Sequence, residues 1–202
     1  MTAAAYDAIA DQYAEFAAEV WDKHPLERAV WTAFAESVRG PRPVADLGCG
    51  PGHLTAHLRS LGLDSFGVDL SPAMIELAKA AHPDLRFEVG SMAALELPDA
   101  SLAGILSWYS VIHTPPAEVP RYFAEFARTL ASGGHVLLGC FAARGGPLTS
   151  FDHKVTTAYC WPLDELAGIA AAAGFTEVGR VYREPGEGER PLRHGSLLLR
   201  KP

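Results

Sequence analysis

Three glycines at alternate positions follow a short apolar run in the segment VADLGCGPGH, residues 44–53. The run carries one acid, Asp46, and the glycines are Gly48, Gly50 and Gly52. Glycine adopts positive φ readily and lets a ligand approach the backbone with no Cβ in the way. In an open parallel sheet, ligands bind beyond the carboxyl end of a strand, where the chain turns into its helix. The spacing therefore indicates a small-molecule site at the end of a buried strand.

A second acid stands at the end of the next strand pattern. The segment SFGVDL (65–70) contains Asp69, 17 residues after Gly52. A carboxylate in this position accepts hydrogen bonds from the hydroxyls of a ribose. The two features together favour a ligand that contains adenosine, although dinucleotide and other nucleoside binders share a G-x-G pattern. The alternative is that the glycines serve only a tight strand–helix turn.

The elements that must position these residues alternate between strand and helix patterns. Strand patterns occur at 43–47, 65–70, 85–90, 102–108 and 135–141, and helix patterns at 53–62, 71–82 and 115–130. This alternation predicts a parallel sheet covered on both faces, with right-handed crossovers. A helix at 163–174 then precedes strands at 175–185 and 194–201, which only a short charged turn joins, so they pair antiparallel. The predicted fold class is α/β, a Rossmann-like doubly wound sheet, mostly parallel with an antiparallel last strand.

The first 40 residues have a helical pattern and precede the first strand. We expect residues 1–40 to form an N-terminal helical cap, or lid, on one compact domain formed by residues 41–202. A chain of 202 residues is long enough for one well-buried domain and short for two.

Composition and charge disfavour several classes of partner. The net charge of −7, with no run of Lys or Arg, argues against nucleic acids and anionic membrane surfaces. No apolar stretch reaches about 18 residues, and the N-terminus lacks a basic region, so we expect neither a membrane span nor a signal peptide. Three widely spaced cysteines without a CxxC pattern indicate reduced thiols in a cytoplasmic protein. We expect a monomer or a homodimer.

Four segments in this order resemble the class I S-adenosylmethionine-dependent methyltransferases. They are VADLGCGPGHLTAHL (44–58), GVDLSPAMIELAKAAHP (67–83), FEVGSMAALELPDAS (87–101) and LASGGHVLL (130–138). The closest likeness is to the small-molecule branch typified by the ubiquinone and menaquinone methyltransferases. The resemblance implies S-adenosylmethionine as cofactor, S-adenosylhomocysteine as product, and direct displacement of the methyl group onto an oxygen or nitrogen of a small organic molecule.

The resemblance also implies roles for individual residues in holding the cofactor. Gly48 and Gly50 would lie against its methionine portion, Asp46 would help hold the ammonium group, and Asp69 would take the ribose hydroxyls. A helix near the N-terminus would fold over the cofactor, with Tyr13 the better candidate for contact and Tyr6 either a contact or a core residue. The expected cofactor-binding set is Tyr13, Asp46, Gly48, Gly50, Asp69, Leu70, Met74, Ser91, Met92, Ala93 and Ser107.

One position departs from the family pattern. The family commonly carries an acid in a GDA segment that accepts from the adenine amino group, and here the segment reads GSM, with Ser91 in that place. A serine hydroxyl accepts the same hydrogen bond more weakly than a charged carboxylate. Ser91 is therefore either a weaker adenine contact or a turn residue.

The acceptor side carries less information, because a positioned sulfonium donor needs alignment and requires a base only when the acceptor arrives protonated. His113, after the fourth strand, and His153, in the long connection 142–161, are the candidate bases. For both segments the alternative stays open that the aromatic residues are packing, or that 142–161 is a strand-like decoration. No NPPY motif occurs, and the chain has no asparagine, which also favours a small-molecule acceptor. The expected substrate-binding set is Trp108, Tyr109, His113, Phe151, His153, Tyr159 and Trp161.

Two rival interpretations remain, and a metal site is not among them. An NAD-dependent oxidoreductase would carry G-x-G-x-x-G where this chain has G-x-G-x-G, and a Tyr-x-x-x-Lys pair that is absent. The other rival is a protein of the methyltransferase fold that binds S-adenosylmethionine without methylating, in a structural or cyclase-like role. His53 and His57 share a helix face at i and i+4 but have no third ligand nearby in sequence, so we expect no metal there.

Overall fold

A computed structural model describes residues 2–20, 23–153 and 155–202. Five strands pair in parallel in the order β3-β2-β1-β4-β5. These strands are β1 (Val44–Leu47), β2 (Ser65–Asp69), β3 (Arg86–Val89), β4 (Leu102–Trp108) and β5 (Leu130–Ala142). The strand pattern at 135–141 is thus the second half of β5, which already begins at Leu130, directly after a helix.

The C-terminal strands complete the sheet in the predicted way. Strands β8 (Thr176–Arg183) and β9 (Arg193–Arg200) form a hairpin, and β9 pairs antiparallel with β5 on its other side. The mostly parallel sheet with a reversed last strand is confirmed, and with it the predicted fold class.

Helices cover both faces of the sheet. Neighbouring residues of a strand point to opposite faces, so each of the two helical layers packs on a different set of strand residues. Ile105 and Val136 pack under α6 (Val119–Thr129) and α7 (Leu163–Ala172), whereas the next residues, Leu106 and Leu137, pack under α3 (Pro25–Ser37) and α4 (His53–Ser60). The helices are α1 (Thr2–Asp7), α2 (Ala10–Val20), α3 (Pro25–Ser37), α4 (His53–Ser60), α5 (Pro72–Ala81), α6 (Val119–Thr129) and α7 (Leu163–Ala172).

The three N-terminal helices pack at two different places on the sheet. Trp31 and Phe34 of α3 are buried in the core beneath β4 and β5, so α3 is a covering helix of the sheet. In contrast, α1 and α2 contact α5 at the carboxyl edge of the sheet. The cap that was expected over residues 1–40 is therefore provided by α1 and α2 alone, and a domain boundary near residue 40 stays a prediction.

The connection 142–161 contains a hairpin, β6 (Thr149–Asp152) and β7 (Thr157–Trp161). Strand β7 pairs in parallel with the end of β5, at Phe141 and Ala142. Strand β9 pairs with these same two residues along one edge of β5. Strand β7 therefore lies along the opposite edge, where β4 pairs with β5 as far as Gly139. The hairpin thus extends the sheet beyond the end of β4. This arrangement agrees with the alternative in which residues 142–161 form a strand-like decoration of the sheet. It also places the hairpin next to the candidate site.

Two further observations bear on the environment of the chain. Cys49, Cys140 and Cys160 are free thiols and all three are buried. Burial raises the pKa of the Cys140 thiol to about 12, so it stays protonated at neutral pH. Within the described part of the chain, no helix combines the length and the apolar character needed to cross a membrane.

Candidate active site

A cavity of about 630 Å³, including its mouth, lies at the carboxyl ends of β1, β2 and β4. This is the edge at which open α/β sheets bind ligands, and the volume suits a cofactor-sized molecule. Helices α1 and α2 form the opposite wall. The cavity is lined by Thr2, Ala3, Tyr6, Tyr13, Gly48, Gly50, Val68, Asp69, Leu70, Met74, Gly90, Met92, Trp108, Tyr109, Ser110 and His113.

The turn after β1 is made of backbone that only glycine adopts without strain. Gly48 has φ +77° and Gly50 has φ +51°. The Gly48 N–H donates to the Val68 carbonyl at 2.7 Å, which fastens the turn to β2. A Cβ on Gly48 would lie 2.2 Å from the Ser110 Cβ, whereas a Cβ on Gly50 would meet only the Tyr13 ring at 3.7 Å. The turn therefore presents bare backbone to the cavity at Gly50.

Asp69, at the end of β2, joins this turn to the start of α5. Its two carboxylate oxygens accept from the Gly50 N–H at 2.9 Å and from the Ser71 N–H at 2.8 Å. Burial raises its pKa, against the effect of those backbone donors. A carboxylate oxygen accepts more than one hydrogen bond, so Asp69 keeps acceptor capacity toward the cavity.

Asp46 lies beneath the turn rather than on the cavity wall. It is buried, and its Oδ2 accepts from the Thr55 hydroxyl at 2.6 Å. Burial raises its pKa to about 7, and the charge of Asp69 adds to the increase, although the Thr55 hydrogen bond opposes it. A cation held near this carboxyl group would ionise it fully, because an opposite charge favours the charged form.

On the far side of the cavity, His113 is held between two hydrogen-bond partners. Its Nδ1 lies 2.9 Å from the Thr157 carbonyl oxygen of the β6–β7 hairpin, and its Nε2 lies 2.9 Å from the Tyr6 hydroxyl of α1. A carbonyl only accepts, so Nδ1 carries the proton and Nε2 accepts from Tyr6. Burial lowers the pKa of His113 below 6.5, which keeps the ring neutral at pH 7. Nε2 is thus a basic lone pair at the cavity wall.

Tyr109 sets the wall at the end of β4 through an unusual backbone conformation. Its φ is +54°, rare for a residue with a side chain, and its N–H donates to the Gly139 carbonyl at 2.9 Å. The ring packs edge-on against Trp108, and the hydroxyl is hydrogen-bonded to Nδ1 of His194. Tyr109 therefore lines the cavity, while its hydroxyl is held by His194, which lies outside the cavity. Such strained residues concentrate at functional sites.

Most of the predicted cofactor residues line the cavity, and four do not. The Ser91 hydroxyl accepts from the Ala93 N–H at 3.2 Å, a local contact that agrees with the alternative in which Ser91 is a turn residue. Ser107 is buried and its hydroxyl lies 2.5 Å from that of Ser110. Contacts between these residues and a cofactor stay predictions. The predicted cofactor residues off the cavity wall are Asp46, Ser91, Ala93 and Ser107.

The predicted acceptor residues divide by element. Trp108, Tyr109 and His113, which follow β4, line the cavity, but those of the hairpin segment do not. His153 packs edge-on against His113, with ring centres 5.1 Å apart, and burial lowers its pKa to about 4. Trp161 is fully buried in the core. None of the predicted hairpin residues lines the cavity, and of them His153 is the one seen in contact with His113; the four are Phe151, His153, Tyr159 and Trp161.

Two residues of the cavity wall, Tyr6 and Ser110, are outside the predicted binding sets. Tyr6 lies seven positions before Tyr13, and their rings pack edge-on with centres 5.4 Å apart. That spacing was the available signal, but it did not reveal the contact with His113. Ser110 meets Gly48 across the cavity floor, a contact that no local pattern indicates.

A parallel sheet with a reversed last strand, a glycine turn after β1 and an acid after β2 together define the class I S-adenosylmethionine-dependent methyltransferase fold. Residues 44–134 match the family model described as a methyltransferase domain. This match confirms the resemblance that the sequence predicts: residues 44–134 are similar to methyltransferase domains, and relatives of the chain are named as S-adenosylmethionine-dependent methyltransferases.

Individual relatives agree with this assignment. A malonyl-[acyl-carrier protein] O-methyltransferase of Erwinia billingiae is 30% identical over 130 residues, 63% of this chain and 51% of the relative. The chain spans about half the length of the curated relatives it matches. The 1,6-didemethyltoxoflavin-N1-methyltransferase of Burkholderia thailandensis, solved with S-adenosylhomocysteine, superposes with a TM-score of 0.77 at 23% identity, covering 98% of this chain and 88% of that one. The [4+2]-cyclase SpnF superposes at 0.72 and 17% identity, covering 86% and 81%.

Proposed function

We propose that this protein is an S-adenosylmethionine-dependent methyltransferase that methylates an oxygen or nitrogen atom of a small organic molecule. The observation that carries the proposal is the unit formed by Gly50 and Asp69. A bare backbone turn and a carboxylate with free acceptor capacity are joined by a hydrogen bond and face one cavity.

The residues present fit the cofactor in each of its parts. Asp69 has lone pairs left for the ribose hydroxyls, and Gly50 offers backbone without a Cβ for the methionine portion. Asp46 has a raised pKa that a nearby ammonium group would lower. Met74 and Met92 give an apolar surface for the adenine ring, next to the half-exposed Leu70.

The chain's own residues have three tasks in the transfer. When bound, S-adenosylmethionine supplies an electrophilic methyl group on a sulfonium, so the protein need not activate the donor. Trp108 and Tyr109 orient the acceptor against their rings, and His113 takes its proton at Nε2. Helices α1 and α2 cover the cavity and limit the access of water. Because the N-terminal helices α1 and α2 cover the cavity, the acceptor is a small molecule.

Calorimetric titration with S-adenosylmethionine, S-adenosylhomocysteine and NAD tests the proposal first. We expect micromolar binding of the first two and none of NAD. The Asp69→Ala variant should bind S-adenosylhomocysteine about 30- to 150-fold more weakly, or about 2–3 kcal/mol, since it loses a carboxylate that accepts from a ribose. Asp84→Ala, which changes an exposed acid, is the matched control. Unchanged affinity in Asp69→Ala would overturn the adenosine site.

Turnover separates methyl transfer from the non-methylating alternative. The superposition with a cyclase shows that this fold also serves other chemistry. Formation of S-adenosylhomocysteine that depends on an added small-molecule acceptor would support methyl transfer. Tight cofactor binding without any turnover, across phenols and amines, would instead favour the cyclase-like or structural role.

A further inference from the structure

The ring nitrogen of His113 at the cavity wall, Nε2, already accepts a hydrogen bond from the phenol group of Tyr6. The Tyr6 hydroxyl donates to Nε2 at 2.9 Å, although the two residues lie 107 positions apart. The ring of Tyr6 packs edge-on against that of His113, with centres 5.6 Å apart. The other imidazole nitrogen is committed to the Thr157 carbonyl. Nε2 is therefore the one position where the ring can receive a proton from a bound molecule.

The charges around the cavity restrict what can take that position. Among its described lining residues none is Lys or Arg, and the only charged side chain is Asp69. The guanidinium of Arg190, which is not among the lining residues, donates to the Asp152 carbonyl of the hairpin. Among these described lining residues an anionic acceptor would find no cationic side chain, and it would meet the field of Asp69. An uncharged acceptor avoids both costs.

The shape and chemistry of the wall favour a flat aromatic ring. Tyr13, Trp108 and Tyr109 are aromatic residues that line the cavity, and Tyr6 already places a phenol ring there with its hydroxyl directed at Nε2. Aromatic rings pack favourably edge-on or offset against one another. A hydroxyaromatic molecule would reproduce both the ring contacts and the hydrogen bond that Tyr6 now makes.

We propose that Tyr6 holds the place of the acceptor, and that the acceptor is a neutral hydroxyaromatic molecule whose O–H replaces the Tyr6 hydroxyl on Nε2 of His113. The inference rests on the proposed function, because it names the substrate class of the same site. The acceptor O–H bond breaks and its proton passes to Nε2. The oxygen electron pair forms the new bond to the methyl carbon, and the methyl–sulfur bond breaks with its pair left on sulfur. The imidazolium then returns its proton to solvent.

The replacement requires little movement of the chain. Tyr6 lies on α1, which is held through Asp7: its Oδ1 accepts from the Ser71 hydroxyl at 2.6 Å and from the Ala73 N–H at 3.2 Å. These contacts fix the backbone of α1 at the start of α5. On this proposal the Tyr6 side chain moves off Nε2 while these contacts keep the helix in place. Tyr6 acts as a specificity-determining residue rather than a catalytic one.

Titration of 4-nitrophenol into protein saturated with S-adenosylhomocysteine tests the inference without turnover. Binding is followed by calorimetry, and ionisation by the visible absorbance of the phenolate, at a pH where the free phenol is mostly protonated. We expect binding to the wild-type protein with an increase in phenolate absorbance. Tyr6→Phe should bind about five-fold more tightly, since no internal hydrogen bond must be broken. His113→Gln should bind without the absorbance change.

Two matched ligands complete the design. 4-Nitroanisole has no O–H, so its affinity should not differ between the wild type and Tyr6→Phe. 4-Nitrobenzoate is anionic and should bind more weakly than the phenol. Equal gains for phenol and anisole in Tyr6→Phe, stronger binding of the benzoate, or no phenol binding would each overturn the inference. Because S-adenosylhomocysteine is titrated first, its failure to bind would overturn the proposed function as well, whereas failure of the phenol alone leaves that function standing.

Discussion

The cofactor side and the acceptor side of the cavity are built in different ways. On the cofactor side, the turn after β1, the end of β2 and the start of α5 are held by backbone hydrogen bonds through Gly48, Gly50 and Asp69. On the acceptor side, side chains from α1, the segment after β4 and the β6–β7 hairpin meet at His113. The first side joins backbone N–H groups to one carbonyl and one carboxylate within residues 48–71; the second depends on the His113 side chain and joins groups that lie 44 and 107 positions apart.

This difference determines what each side tolerates. A site made of backbone depends on glycine conformations, so adding one methyl group damages it. A site made of side chains depends on their chemical groups, so a substitution there changes reactivity while the fold remains. Variants on the two sides should consequently separate cofactor binding from catalysis.

The largest effect is expected on the acceptor side, from His113→Gln. Removing the base should lower kcat by roughly 10²- to 10⁴-fold with a protonated acceptor, because proton transfer loses its acceptor. Affinity for S-adenosylhomocysteine should stay unchanged, since the cofactor residues are untouched. Steady-state kinetics and calorimetry on the same preparation measure both. A parallel loss of cofactor affinity would erase the proposed division between the two sides.

On the cofactor side, Gly48→Ala should lower the free energy of unfolding by about 2–3 kcal/mol and abolish measurable cofactor binding. The new Cβ would lie 2.2 Å from the Ser110 Cβ, and the residue would keep a positive φ. The control is Gly50→Ala, whose Cβ meets only Tyr13 at 3.7 Å and which should cost about 1–2 kcal/mol. Urea unfolding compares the two. Equal stability losses would mean that the close approach to Ser110 relaxes freely.

A pH series should distinguish the two sides by their titrating groups. Asp46, which faces Thr55 and Asp69, has a pKa raised to about 7, and it must be ionised to hold an ammonium group. Affinity for S-adenosylhomocysteine should therefore fall about ten-fold from pH 8 to pH 6, as one group protonates.

His113, which faces Tyr6, His153 and the Thr157 carbonyl, has a pKa lowered below 6.5 and acts as a base only when neutral. With cofactor saturating, kcat should stay level down to pH 6.5 and decline below it. Calorimetry and initial rates in the same buffers give the two profiles. Profiles with the same midpoint would contradict the assignment of separate groups.

The smallest effect is expected where the two sides meet, in the attachment of α1. Asp7→Ala removes the acceptor for the Ser71 hydroxyl and the Ala73 N–H at the start of α5, and should cost about 1 kcal/mol. Amide hydrogen exchange should accelerate in α1 while the sheet stays protected. Glu15→Ala, an exposed acid on α2, serves as control. Unchanged exchange in the Asp7 variant would show that α1 is held by its aromatic contacts instead.

Much of the fold could be predicted from the sequence because its signals are local. Apolar runs of strand length, Ser71 followed by Pro72, and glycines at positive φ each specify conformation within a few residues. The β6–β7 hairpin was harder to predict, since its two segments show no clear alternation of apolar and polar residues and β7 pairs with the part of β5 that extends beyond β4. Its short strands are stabilised by tertiary contact rather than by their own pattern.

By itself, the sequence determined the glycine turn, the acid after β2 and the order of the strands, because backbone conformation and hydrophobic period are encoded by neighbouring residues. Only the tertiary structure decided that α1 brings Tyr6 onto His113, that the hairpin carbonyl of Thr157 fixes the imidazole tautomer, and that Asp46 lies beneath the cavity. These contacts join side chains distant in sequence, and their protonation depends on burial. Neither property can be read before the chain is packed.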